Sequence, residues 1–193
     1  SQTESAGANS IILDQHSLTL AINNSPASLF SLNNELIVSN FYAEVNVSIN
    51  RCSGQDTYGM LYRAASGAYA YRFLLNCSGY ARVEQIKAGQ VTGLQEWVPS
   101  GDAPAGAPGQ VKMAVWAAGN EMRFFLNGRH QFTIYHSLFS NGGLGVYANS
   151  SNPEGVNVNF SDLIVNSVVY VSPTPTATPT RTPTSTRTPR PTP

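Results

Sequence analysis

Between positions 42 and 49 apolar and polar side chains alternate: Ala43, Val45, Val47 and Ile49 fall on one side of an extended chain, Tyr42, Glu44, Asn46 and Ser48 on the other. A period of two is that of a half-buried strand. The pattern returns at Val111, Met113 and Val115, at Met122, Phe124 and Leu126, and at Val156, Val158 and Phe160 opposite Asn157, Asn159 and Ser161. Turn signals separate these runs: Ser66-Gly67, Ser78-Gly79, Ala88-Gly89, Gly119-Asn120, Asn141-Gly142 and, as the strongest hairpin signal, Asn127-Gly128. No segment sustains a helical period. About ten or more short strands joined by hairpins predict an all-β fold, a two-sheet antiparallel sandwich or jelly roll, because one open sheet that large leaves its apolar face wet.

The pattern also divides the chain. Residues 41–171 carry the sandwich core, with a Gly/Ala/Pro-rich loop at 99–109 expected to cross between sheets. Residues 1–40 are less regular: positions 11–13 and 18–22 read as strands, and 29–36 as a loop leading to Ile37 and Val38. These strands are expected at an edge, where strand exchange with another subunit begins. Residues 172–193 form a tail of Thr and Pro with no acid and no aliphatic side chain larger than Ala177. Proline removes backbone donors and fixes φ, so this stretch is expected as extended polyproline II, reaching roughly 70 Å at about 3.1 Å per residue. Its composition is that of an O-glycosylated stalk, with Thr174, Thr176, Thr178, Thr180, Thr182, Thr184, Thr186, Thr188 and Thr192 as candidate acceptors. The Asn-x-Ser sequons at Asn23, Asn46, Asn76, Asn149 and Asn159 read instead as unmodified polar strand faces.

Eleven basic residues balance eleven acids, but Arg181, Arg187 and Arg190 lie in the tail, which leaves eight bases against eleven acids in the body. That balance gives no support for nucleic-acid binding. The most apolar run, residues 163–171, is interrupted by Asn166 and Ser167 and is too short to span a bilayer. With no signal-peptide core and a start at Ser1, the chain is expected to have lost a secretory signal and to act outside the cell or at its surface. Cys52 and Cys77, the only cysteines, have no CxxC or Cys/His spacing for zinc, so no metal is expected. A disulfide between them is expected in an oxidising compartment. If strands 42–51, 57–63 and 69–76 form a meander, the first and third lie about 9.5 Å apart, beyond disulfide reach. The bridge then requires both cysteines to bend over the middle strand in their loops.

The order of segments resembles the concanavalin A-like lectin/glucanase (LamG-type) superfamily of bacterial extracellular proteins. The resemblance rests on FYAEVNVSI, DTYGMLYR, AYAYRFLL and YARVEQIK, then QVKMAVWAAGNEMRFFLNGRHQF and GGLGVYANSSNPEGVNVNFSDLIV, over residues 41–165. It implies a jelly-roll sandwich of two curved sheets, and activities that range from sugar binding through glycan hydrolysis to plain adhesion. Some such domains hold calcium through loop acids; Asp56 and Asp102 stand alone, so no cofactor is expected.

Hydrolysis of a glycosidic bond needs two opposed carboxylates. The Glu-Asp-Glu strand motif of laminarinase-like relatives is missing: Glu44, Glu84, Glu96 and Glu121 each stand alone, and His16, His130 and His136 lack a ligand spacing. A non-enzymatic role is therefore expected. Sugar binding needs only an aromatic platform ringed by hydrogen-bonding groups. Tyr58, Tyr62, Tyr69 and Tyr71 on adjacent strands, Arg63 with Arg72 nearby, Trp97 and Trp116 are the candidates, set against the reading that these rings fill the core. The leading expectation is a non-catalytic structural or adhesive surface glycoprotein, with copies of itself or cell-surface glycans as partners and a repeating fibre as one form. A carbohydrate-binding module and a hydrolase follow in that order.

Overall fold

The computed structural model describes residues 2–169; the tail, with all nine threonine candidates, lies outside the described residues. Fourteen strands follow one another: β1 (Gln2–Ala6), β2 (Asn9–Leu13), β3 (Ser17–Ile22), β4 (Ala27–Val38), β5 (Phe41–Arg51), β6 (Thr57–Ser66), β7 (Tyr69–Asn76), β8 (Tyr80–Lys87), β9 (Gln90–Pro99), β10 (Gly109–Ala118), β11 (Glu121–Leu126), β12 (Arg129–Tyr135), β13 (Gly142–Ser150) and β14 (Val156–Ser167). They build an eight-stranded sheet in the order β1-β2-β3-β14-β5-β10-β11-β12 and a six-stranded sheet in the order β4-β13-β6-β7-β8-β9. All pairings are antiparallel. Among the described residues no helix is long and apolar enough to cross a membrane.

Alternation decides what each sheet buries. Phe41, Ala43, Val45, Val47 and Ile49 of β5 are buried, as are Val111, Met113 and Val115 of β10, Met122, Phe124 and Leu126 of β11, and Val156, Val158 and Phe160 of β14. The six-stranded sheet answers with Tyr58, Met60 and Tyr62 of β6 and Tyr71, Phe73 and Leu75 of β7. Where the layers meet, Phe73 lies 5.0 Å from Phe124 between ring centroids, and Tyr62 lies 5.9 Å from Phe124. The loop at 99–109 carries the chain from β9 in one sheet to β10 in the other, as its composition suggests. The Asn127-Gly128 hairpin forms with both residues at positive φ, 50° and 77°.

Two expectations are corrected. Residues 29–36 belong to strand β4, an edge strand whose burial does not alternate cleanly over its length. Its polar stretch is bent where the Asn33 side chain accepts hydrogen bonds from the backbone N–H of Glu35 and Leu36. The supposed meander of 42–51, 57–63 and 69–76 is split: β5 sits in the eight-stranded sheet, β6 and β7 in the other. That split changes the geometry of the cysteines. Cys52 follows β5 and Cys77 follows β7, their Cα atoms are 5.7 Å apart, and the disulfide they form joins the two sheets at one end. Strands from both sides of residue 40 share each sheet, with β3 paired to β14 and β4 to β13.

Candidate functional site

The outer face of the six-stranded sheet is built by the residues that alternate with the core. In β7, Tyr71, Phe73 and Leu75 point inward, which turns Ala70, Arg72 and Leu74 outward. In β8, Ala81 and Val83 point inward and turn Arg82 and Glu84 outward. The register then sets Arg72 directly between Leu61 and Glu84, and Leu74 between Gly59 and Arg82. Tyr147 of β13 lies opposite Gly59, which has no side chain to cover its neighbours.

A charged network results. Arg72 Nη2 pairs with Glu84 Oε1. Arg82 Nε lies 3.4 Å from Glu84 Oε2, and Arg82 Nη2 lies 3.9 Å from Glu96 Oε2. The Glu84 side chain is only 5 % exposed, Arg72 11 % and Arg82 22 %, whereas Glu96 is 75 % exposed. The group thus runs from a closed pair at the sheet centre to an open acid at the β9 edge. Aromatic rings flank it: the Arg72 guanidinium sits 4.3 Å from the Tyr147 ring centroid, and that of Arg82 lies 5.8 Å from Trp97. Arg72 Nε and Arg82 Nε are buried and make no hydrogen bond, Arg82 Nε keeping only its ionic contact with Glu84. Two Arg and two Glu make the patch neutral as a whole.

The sequence-level candidates divide. Tyr58, Tyr62 and Tyr71 are 1 %, 0 % and 0 % exposed, and their rings are core, not platform. Tyr71 Oη bonds His136 Nδ1 at 2.7 Å and accepts from the Phe139 N–H at 3.1 Å. Burial pushes the hydroxyls of Tyr58, Tyr62 and Tyr71 up from the ordinary tyrosine value. Arg63 is also buried; it donates from Nε and Nη2 to the Ser39 carbonyl and from Nη1 to that of Phe139, which makes it a loop fastener. Tyr69 is exposed at the start of β7. Trp116 lies half-buried on the other sheet, with Arg123 4.7 Å over its ring. Of these candidates only Trp97 and the neighbouring Arg72 join the network. Arg82, Glu84, Glu96 and Tyr147 were not among the candidates, although Arg82 and Glu84 share a face at positions i and i+2 of one strand, and that was the available signal.

The loop acids do not converge. The buried Asp56 accepts from the N–H groups of Ser151 and Asn152, and Asp102 pairs with Arg129 and Gln131. Among the described residues there is no group of three or more His, Cys, Asp or Glu side chains suited to a metal ion.

No protein-family profile matches the chain, and no curated protein matches it in sequence. Solved structures do. The carbohydrate binding module CBM66 from Bacillus subtilis superposes with a TM-score of 0.59 at 14 % identity, over 86 % of this chain and 91 % of that one. A Bacillus subtilis protein of unknown function with a galectin-like fold gives 0.57 at 12 % identity, over 83 % and 86 %. Sheep galectin-11 gives 0.52 at 13 % identity, over 74 % and 100 %. The fold is a galectin-like jelly-roll sandwich. This agrees with the concanavalin A-like class expected from the order of segments, and at such identities the likeness speaks for the fold alone.

Proposed function

We propose that this chain is a non-catalytic extracellular domain of the LamG-like sandwich type, adhesive through glycan binding on the outer face of its six-stranded sheet. One observation carries the reading: Arg72, Glu84 and Arg82 form a network held between the Tyr147 and Trp97 rings on a face that no other part of the described chain packs over as a layer. Sugars offer C–H faces that stack on rings and hydroxyls that both donate and accept. Guanidiniums fixed by a carboxylate present their remaining donors in a set geometry, and Glu96 supplies an acceptor. Because the patch is neutral, uncharged saccharides are its class.

Three further observations support the reading. The disulfide fits an oxidising compartment. The similar structures include a carbohydrate binding module and a galectin. The Thr/Pro tail has the composition of a glycosylated spacer that would hold the domain away from a surface. The hydrolase alternative is weaker, since Glu84 is committed to two arginines, which leaves Glu96 without a second free carboxylate in the network. Service as a fibre subunit is the second reading; the open edge of β14 described below would supply one of the two surfaces that it needs.

Calorimetric titration against neutral oligosaccharides tests the proposal. Saturable binding is expected that Trp97→Ala and Arg82→Gln each weaken at least about tenfold, that Trp116→Ala leaves unchanged, and that yields no cleaved product. Binding indifferent to Trp97→Ala and Arg82→Gln, or no binding to any neutral glycan, would sink it.

A further inference from the structure

β14 outlasts one of its neighbours. Its first half is bonded to β3, which begins at Ser17 opposite Ser161. After a bulge at Asp162 and Leu163, it is paired with β5 on one side from Ile164 to Ser167. Among the described residues no strand lies along the other side. Leu163 and Ile164 are 51 % and 47 % exposed there, and Val169 is 90 % exposed. They belong to the most apolar run in the chain, in which residues 163–169 include no charge and no proline. Open edges are usually guarded by those very features.

We propose that this edge pairs with the same edge of a second copy, antiparallel about a two-fold axis through Asn166. In that register Leu163 faces the partner's Val169, Ile164 faces the partner's Val168, Val165 faces the partner's Ser167, and Asn166 faces the partner's Asn166. Apolar side chains meet apolar ones at the ends and two amides meet at the centre. Other registers do worse. Keeping both cores on the same side of a continuous sheet requires an even shift, because directly opposed residues share a face. Moving the axis to Val165 sets Asp162 against the partner's Val168 and Leu163 against the partner's Ser167; moving it to Ser167 leaves Leu163 and Ile164 with no partner among residues 163–169. Charge favours the same occupant. The partner's Val169 arrives beside the β2–β3 turn, which bonds Asp162 through the His16 carbonyl. Asp14 and Glu35 line the mouth of a cleft of about 670 Å³ at that corner, with no Lys or Arg in its lining. The sequence that follows Val169 carries Arg181, Arg187 and Arg190 and no acid, a charge opposite to that of those carboxylates. Glycan binding plays no part in this inference.

Sedimentation equilibrium on the full chain decides it, using Asn166, which is exposed and can be changed without touching the core. The chain is expected to be a dimer at about 100 µM. Asn166→Asp and Asn166→Lys should each weaken association at least about tenfold, because each sets like charges face to face. An equimolar mixture of the two variants should regain it, since only a two-fold axis opposes position 166 to itself. A monomeric wild-type chain at that concentration, a dimer indifferent to Asn166→Asp, or a mixture that stays monomeric would each overturn the proposal.

Discussion

Glu44 shows how one carboxylate on a strand's solvent face becomes a pH-dependent support. It accepts from the Tyr42 hydroxyl at 2.6 Å and from Lys112 Nζ at 3.2 Å. The Tyr42 bond first, with Lys112 adding to it, holds the carboxyl below its ordinary value of 4.5 against burial, which is the second-largest influence and acts the other way. Tyr42 responds in the opposite sense: burial, then Glu44, pushes its hydroxyl up to about 12. A carboxyl lowered by folding contributes stability that is present above pH 4.5 and lost as pH falls through the folded value. A hydroxyl raised by folding contributes stability present below pH 10 and lost as pH rises toward about 12. Thermal unfolding of Glu44→Gln should therefore show a lower Tm than the wild type at pH 7, with the gap closing below about pH 4. A gap that persists in acid would assign the effect to packing. At this scale the sequence was least legible, because alternation shows that two rings share a face and leaves open which face is inside. Tyr62 and Tyr71 went in, Trp97 went out, and the difference is set by the partner sheet.

Strands were legible in proportion to how much of them is half-buried. β5, β10, β11 and β14 show their period of two because one side meets the core and the other meets water. β4 does not, being an edge strand bent by its own Asn33 side chain. The Arg72–Glu84 pair was hidden for another reason: each residue is visible in its own strand, but their meeting depends on the β7–β8 register, a cross-strand property that the turn at 77–79 imposes. Register also explains a glycine. A Cβ at Gly59 of β6 would collide with the Phe73 carbonyl of β7, and that backbone cannot retreat without disturbing the ladder. Gly59→Ala is expected to cost about 2 kcal/mol, measured as a fall in the urea midpoint with an unchanged slope. Wild-type stability in the variant would mean that the strands part at no cost.

The disulfide acts on the molecule as a whole, since it joins layers and not neighbouring strands. Cys52 and Cys77 are separated by 25 residues that include all of β6 and β7, so losing the link frees a long loop in the unfolded chain. Replacing both by Ala should reduce stability by about 3 kcal/mol, read from chemical unfolding, while the outer face of the six-stranded sheet keeps its ligand. A two-fold contact through β14 would close at a pair, because it consumes the edge that makes it, and a fibre would need a second, different surface. β14 has one more consequence. It lies inside its sheet over its first half and is laced to β5 along most of its twelve residues. Tension on the chain beyond Val169 would load those bonds side by side in shear, so a tethered domain would resist being dragged open far better than one peeled strand by strand from a free hairpin.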